Sequence, residues 1–407
     1  MLNDLKSKNV ELSIEEFISM MDSDDVIVLD IRSEIERSHG LLQKSVAISS
    51  EELISKPPID KNKNYIICCS RGETSYEIAN DLQNKGLDNF YSLKGGYASY
   101  VLYIMRKANS KNNSNDVNGD NEIKDNVDSK NSNELLTKIE KSINTKFRIK
   151  LMSNFLKAIK NYELINENDK IAVCISGGKD SFLMAMLFRE LKKWTKINFD
   201  VEYIAMDPGY NEVNRQLLEE NAKAMDIPIK IFDSDIFDIV YNEEKSPCYL
   251  CARMRRGHLY SFAKSLSCNK IALAHHYDDV IETILMGMLY GGQMQSMLPK
   301  LKSTNFEGMQ LIRPMYLIRE DDIKMWRDYN NLHFLQCACK FTDTCTSCNN
   351  NENKSKRQEV KSIIKKLKET NPYIESNIFK SAENVQLDTL ISYKSNGKKH
   401  SFLEDFI

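Results

Sequence analysis

The sequence predicts an α/β protein of two units, and three observations carry that prediction. Short β-branched runs alternate with helical stretches in both halves of the chain. Residues 109–133, NSKNNSNDVNGDNEIKDNVDSKNSN, nearly lack apolar side chains and so separate the halves. Two loops rich in small residues, CSRGETS and SGGKDS, fall where a strand should pass into a helix. Strand–helix alternation of this kind implies a parallel sheet covered by helices on both faces.

The bulk properties fit that division. A chain of 407 residues exceeds one ordinary domain. The expected units are 1–107, a flexible polar linker at 108–133, a second domain at 134–390 and a tail at 391–407. No apolar run is long enough to span a bilayer, and the start MLNDLKSKNVELS lacks a basic stretch followed by an apolar core. A cytoplasmic protein without membrane contact is therefore expected. Its ten cysteines then point to thiolate chemistry or metal ligation rather than to disulfides. The net charge of -2 conceals an asymmetry: residues 1–133 carry 16 Lys+Arg against 22 Asp+Glu, and the remainder 40 against 36. Only the second unit is basic, a weak pointer to a polyanionic partner.

In the first unit, Val26-Ile27-Val28-Leu29-Asp30 and Tyr65-Ile66-Ile67-Cys68-Cys69 read as buried strands. Ser13 with Glu16 forms a capping box for an early helix, and Glu73 to Lys85 forms another helix. Cys69-Ser70-Arg71-Gly72-Glu73-Thr74-Ser75 lies between strand and helix, where loop N–H groups and the helix dipole favour a thiolate. The competing reading of Cys69 is a buried strand-end thiol, as for Cys68.

These residues resemble the rhodanese domain. The resemblance rests on Cys69 with Gly72 and Ser75, on Asp30-Ile31-Arg32 followed by Glu36 and Gly40, and on Leu93-Lys94-Gly95-Gly96-Tyr97. It implies a rhodanese-like α/β domain whose Cys69 carries a persulfide and hands the outer sulfur to an acceptor. Two positions depart from the pattern. Thr74 stands where many sulfurtransferases have Arg, which leaves Arg71 to supply the cation, and Leu41 stands where a His would follow the Gly. Ser75 ends the loop where related phosphatases need an Arg in a longer loop, which favours sulfur over phosphate.

In the second unit, apolar runs at 171–175, 201–206, 228–232, 270–274 and 309–312 alternate with helical stretches near 181–192, 211–225, 255–266 and 278–290. An amphipathic helical pattern at 135–162 precedes them. Ser176-Gly177-Gly178-Lys179-Asp180-Ser181 follows the first run. Its glycines let backbone approach a ligand, the helix N-terminus presents N–H groups to an anion, and Lys179 adds a point charge. This suits a pyrophosphate, and the wording is not the Walker A pattern. SGGKDS resembles the pyrophosphate loop of the PP-loop superfamily, which implies a doubly wound parallel sheet and cleavage of ATP to AMP and pyrophosphate. Asp180 is placed to hold Mg²⁺ against the phosphates, or to act as an N-terminal helix acid.

Pro247-Cys248-Tyr249-Leu250-Cys251-Ala252-Arg253-Met254-Arg255-Arg256-Gly257 sets two thiols at CxxC spacing just before a cationic helix. Cys337, Cys339, Cys345 and Cys348 follow downstream. A redox pair, a zinc site and an iron–sulfur site all fit such a supply. Ala274-His275-His276-Tyr277-Asp278-Asp279 falls where a strand should end and a helix begin, the edge where open α/β sheets bind ligands. Cys174 and Cys268 read as core thiols.

Taken together, SGGKDS, PCxxCxRxRRG, the His275–Asp279 segment with Glu282 and Thr283, Tyr290-Gly291-Gly292, Arg313-Pro314, Lys356-Arg357-Gln358 and Ala382-Glu383-Asn384-Val385 resemble the tRNA 2-thiocytidine synthetase branch of that superfamily. The resemblance implies ATP-dependent thiolation of an anticodon-loop cytidine at C2, at position 32. It implies ATP, Mg²⁺ and a [4Fe–4S] cluster as cofactors. Cys248 and Cys251 would be two cluster ligands and Cys345 the third, with Cys337, Cys339 or Cys348 as alternatives and a separate zinc site on the downstream four as a rival. Ser176, Gly177, Gly178, Lys179, Asp180, Ser181, His275 and Asp279 would bind ATP. Arg253, Arg255 and Arg256 would meet RNA phosphates, as would Lys354, Lys356, Arg357, Lys361, Lys365, Lys366 and Lys368 if that run is more than a solvated helix face. The implied partners are tRNA and a cysteine desulfurase or other persulfide donor, and a homodimer stays open. Rival functions are thiolation of a uridine or a small metabolite, and a non-catalytic iron–sulfur or redox-sensing RNA-binding protein.

Overall fold

Ser13 and Glu16 form the expected capping box. The Glu16 N–H donates to Ser13 Oγ at 3.2 Å and the Ser13 N–H donates to Glu16 Oε2 at 2.7 Å, opening α1 (Ile14–Met20). The computed structural model describes residues 9–37, 40–111, 124–234, 247–335 and 356–406.

In the first domain, five parallel strands take the order β1-β5-β4-β2-β3, with β1 Glu11–Leu12, β2 Val26–Asp30, β3 Ser45–Ala47, β4 Asn64–Cys68 and β5 Phe90–Leu93. The β-branched runs are inward: Ile66, Ile67 and Cys68 are fully buried. The helices α2 (Glu34–Arg37), α3 (Ser50–Ser55), α4 (Glu73–Asn84) and α5 (Gly96–Lys111) complete this domain. The chain crosses from β2 to β3 on one side and then returns to β4 on the other. The crevice between the carboxyl ends of β2 and β4 is thus a switch point. Arg32 and Cys69 lie there.

The second domain repeats the device. Its sheet has the order β10-β11-β9-β6-β7-β8, with β6 Lys170–Cys174, β7 Asp200–Asp207, β8 Ile229–Asp233, β9 Lys270–Ala272, β10 Lys300–Lys302 and β11 Gln310–Ile312. All pairs are parallel except β10 with β11, so the expected parallel sheet gains one antiparallel edge. Its switch point lies at β6, where Ser176–Ser181 leads into α8 (Lys179–Trp194) and the His275–Asp279 segment follows β9. The remaining helices are α9 (Glu212–Ala224), α10 (Pro247–Ser265), α11 (Tyr277–Gly291), α12 (Glu320–Tyr329), α13 (Lys356–Thr370) and α14 (Ile374–Ser381), with α6 and α7 ahead of the sheet.

Two local expectations change. The 135–162 helix is broken: α6 (Lys124–Asn144) ends, a π-helical turn covers Ile149–Ser153, and α7 (Asn154–Asn161) resumes. The CxxC pair lies inside the first turns of α10 rather than before it, because Pro247 is tolerated at a helix start. Of the linker expected at 108–133, helices α5 and α6 reach in from both ends, and residues 112–123 lie outside the described residues.

The domains share an interface. One continuous core joins Leu12, Phe17 and Tyr97 of the first to Phe147, Phe182 and Phe188 of the second. Arg106 on α5 bridges to Glu220 on α9 at 2.9 Å and donates to Gln216 at 3.1 Å. A C-terminal hairpin, β12 (Ser392–Ser395) with β13 (Lys398–Ser401), ends the chain.

Candidate active site

Cys69 sits at the mouth of the first switch point, 5% exposed. The Gly72 N–H donates to its Sγ at 3.0 Å, and Ser75 Oγ lies 3.3 Å from the same sulfur. Ser75 is itself fixed by Ser92 Oγ at 2.8 Å. From the other side, the Tyr97 and Ala98 N–H groups at the start of α5 hold the Cys69 and Ser70 carbonyls. Cys68, one residue earlier, is fully buried, and burial pushes its thiol well above the ordinary range. Of the two adjacent thiols, Cys69 is the one placed for chemistry. A cavity of about 340 Å³ opens over it.

Arg32 is spent locally. It forms a buried two-point pair with Asp30 at 2.9 and 2.7 Å, and its guanidinium lies 3.6 Å above the Tyr97 ring. Arg71, offered by the sequence as the loop's cation, is 5% exposed and lines a separate cleft between the domains with Lys94 and Glu212. The expectation that Arg71 serves the Cys69 cavity is therefore corrected: it lines that cleft and not the cavity.

At the second switch point, α8 starts on Gly178 without a side-chain cap, which leaves its N–H groups for a ligand. Ser181 Oγ accepts the Ser176 N–H at 3.2 Å and donates to the Gly178 carbonyl at 2.8 Å, closing the loop on itself. A cavity of about 370 Å³ is lined by Ser176, Asp180, Ser181, His275, Arg255 and Arg256, among others, a size that suits a nucleotide. Asp180 Oδ1 is buried with no hydrogen-bond partner among the described residues, a donor that suits a divalent cation.

The sequence missed the partner of Lys179. This lysine is 8% exposed, and its Nζ lies 3.1 Å from Asp180 and 3.4 Å from Glu320. Glu320 also takes Lys361 at 2.5 Å and Lys324 at 3.1 Å. Burial opposes charge on Glu320, yet Lys179, Lys361 and Lys324 hold its carboxyl well below the usual range. Asp278 in turn accepts the Glu320 N–H at 2.7 Å and pairs with Arg319 at 3.1 Å.

Burial, and then Arg313, push His275 down to about 4, and its Nδ1 has no partner among the described residues. It is a neutral group on the cavity wall. Asp279 does not line that cavity. It accepts the His276 N–H at 2.9 Å as a cap for α11 and pairs with Arg357 at 3.0 Å. Burial would raise its carboxyl, but His276 and Arg357 hold it low. Arg357 also reaches Glu282 at 3.3 Å, where burial prevails and raises the carboxyl to about 7. Of the basic run on α13, Arg357, Lys361 and Lys368 are thus paired with Asp279, Glu320 and Glu375. Arg253 and Arg256 are exposed.

Cys248 and Cys251 stand three residues apart in the first turns of α10, and their side chains lie outside the described residues. Cys337, Cys339, Cys345 and Cys348 also lie outside them. Cys174 and Cys268 are buried, as expected of core thiols, although Cys174 also touches the second cavity. No helix among the described residues is long and apolar enough to cross a membrane.

Comparison with known proteins agrees with this division. The rhodanese-like domain family matches residues 13–102 and the PP-loop domain family matches 144–345. A tRNA-cytidine(32) 2-sulfurtransferase of Photobacterium profundum is 37% identical over 246 residues, covering 59% of this chain and 77% of that protein. The protein of the same name from Alcanivorax borkumensis is 35% identical, covering 59% and 82%. The chain belongs to this sulfurtransferase family. It is a PP-loop enzyme with a rhodanese-like domain in front. Among solved structures, the U34-tRNA thiolase NcsA from Methanococcus maripaludis, with its [4Fe-4S] cluster, aligns at a TM-score of 0.45 and 23% identity, covering 57% of this chain and 76% of that one. Family membership identifies the uncapped α8 terminus as the pyrophosphate loop, and Lys179 and Asp180 as its polar contacts.

Proposed function

We propose that this enzyme thiolates a tRNA cytidine at C2, at position 32 of the anticodon loop, using ATP. The observation that carries the reading is the pairing in one molecule of a nucleotide-sized cavity at an uncapped helix N-terminus with a thiol held by a loop N–H. The names of the relatives add the substrate.

In this reading Ser176–Ser181 and the α8 N-terminus hold the ATP phosphates, and Lys179 draws charge from them as AMP is transferred to the C2 oxygen. Adenylation turns that oxygen into a leaving group, and sulfur then displaces AMP. Mg²⁺ at Asp180 would neutralise phosphate charge. His275, neutral beside the phosphates, adds no competing positive charge and can donate or accept a hydrogen bond. Two cysteines within one helical turn suit a thiolate-held iron–sulfur group, with Cys345 as third ligand. A [4Fe–4S] cluster there supplies, when bound, an iron position for the incoming sulfur. Cys69 collects that sulfur as a persulfide, and the shared interface keeps donor and acceptor domains in one molecule. Arg255 and Arg256, on the cavity wall, are positioned for phosphate of either ATP or tRNA.

The test is anaerobic reconstitution with ATP, tRNA and a persulfide donor, followed by nucleoside analysis. Appearance of 2-thiocytidine is the expected result. Thiolated uridine instead would move the target, and full activity of the Cys248→Ala and Cys251→Ala proteins would remove the cluster from the scheme.

A further inference from the structure

The cavity over Cys69 has a charge that selects its sulfur donor. Glu34, Glu36 and Glu51 line it against one uncommitted guanidinium, Arg37, so three carboxylates and one cation leave a net of -2. Arg32 at the inner wall is neutralised by Asp30 at 2.7 Å, and the one donor it leaves unpaired, Nη1, belongs to that neutral pair. Arg71 contributes nothing, because it lines the cleft between the domains instead. Thr74, where a cation would complete an anion site, is neutral. A small dianionic donor of the thiosulfate class therefore meets repulsion and no unneutralised cation at the cavity floor.

The rim also carries apolar surface. Ile54 follows Glu51 by three residues on α3, hence on the same face, and is 48% exposed, while Val46 on β3 is 55% exposed. An acidic mouth beside exposed aliphatic side chains is complementary to a protein surface that is basic with an apolar component.

We propose that Cys69 takes sulfane sulfur from a persulfide carried on a protein with a basic donor surface, and rejects thiosulfate-class anions. This rests on the reading of Cys69 as a sulfur carrier. The Cys69 thiolate attacks the outer sulfur of R–S–SH. The donor S–S bond breaks, a new S–S bond forms to give Cys69–S–SH, and R–S⁻ leaves, so that sulfur moves without net oxidation and the proton travels with it.

The experiment follows persulfide formation on Cys69 of the full-length protein by mass spectrometry. The donors are thiosulfate, and separately a cysteine desulfurase supplied with L-cysteine, each at low and high salt. Loading by the desulfurase is expected to be about tenfold faster or more and to slow with salt, whereas thiosulfate loading should speed up as salt screens the repulsion. The Glu34→Lys/Glu51→Lys protein, altered at two exposed positions, should reverse the order of the donors. Equal loading by both donors, or no change on charge reversal, overturns the proposal. Failure of either donor to load a folded protein overturns the carrier reading itself, and this selectivity with it.

Discussion

The Cys69 loop and the pyrophosphate loop are built alike and charged differently. Each follows a strand at a switch point of a mainly parallel sheet, each passes through a left-handed glycine, and each opens a helix that has no side-chain cap. In the first, the position that a helix N-terminus offers to an anion is taken by the chain's own sulfur, which accepts the Gly72 N–H at 3.0 Å. In the second the anion must come from outside, and Lys179 waits between Asp180 and Glu320. One backbone device thus serves a resident nucleophile or a visiting phosphate, according to the side chain at the strand end.

The largest expected effects separate the two loops by sulfur source. Lys179→Ala should lower tRNA thiolation about 10³-fold, a loss of about 4 kcal/mol in transition-state stabilisation, whatever supplies the sulfur. Cys69→Ser should lower it about 10²-fold with a persulfide donor and leave it unchanged with inorganic sulfide. Initial rates with the two sources decide the matter. Equal losses for Cys69→Ser with both would mean that the first loop does more than collect sulfur.

The next effect belongs to the pyrophosphate side alone. Glu320→Gln leaves three lysines facing a neutral amide in a buried site, which should cost about 3 kcal/mol of stability by denaturant unfolding at neutral pH. Because the Glu320 carboxyl is held below its unfolded range, its contribution is present above about pH 4 and lost as pH falls further. The gap between wild type and variant should close in acid.

Glu282 has the opposite sign. Burial raises it to about 7, so the stability it contributes is complete below about pH 4 and fades as pH rises through 7. Glu282→Gln should therefore gain about 2 kcal/mol relative to wild type between pH 5 and pH 8. Equal differences at the two pH values would mean that Arg357 compensates the buried charge fully.

What the sequence made legible in both loops is local. The strand ends, the glycines, the Ser13 capping box and the α4 and α8 starts are set by residues within a few positions of each other, and each appears where expected. Glu320 lies 141 positions from Lys179, and no periodicity links them. Arg71 was legible as a cation, but its burial between the domains is decided by packing from α9, which the first domain's sequence does not contain. Asp279 looked like a ligand because acids at a sheet edge often are, yet the same position also caps a helix, and Arg357 from α13 tips the balance.

The smallest effect is the most direct test of how far the loops are alike. Gly72 at φ +95° and Gly177 at φ +86° both occupy backbone that favours glycine, so alanine costs about 1 kcal/mol of strain at each. Their surroundings differ. A Cβ on Gly72 would lie 2.6 Å from the Gly95 backbone nitrogen and 3.1 Å from that of Gly96, neither of which can yield without moving the start of α5. A Cβ on Gly177 would meet Leu335 Cδ1 at 2.3 Å, the end of a side chain that can rotate. Gly72→Ala should thus be more destabilising than Gly177→Ala by about 1 kcal/mol or more. Adding Leu335→Ala should relieve the Gly177 variant, so that the double mutant costs less than the sum of the singles. Strictly additive costs in that cycle would show that the pyrophosphate loop, like the Cys69 loop, is confined by backbone rather than by the side chain lying over it.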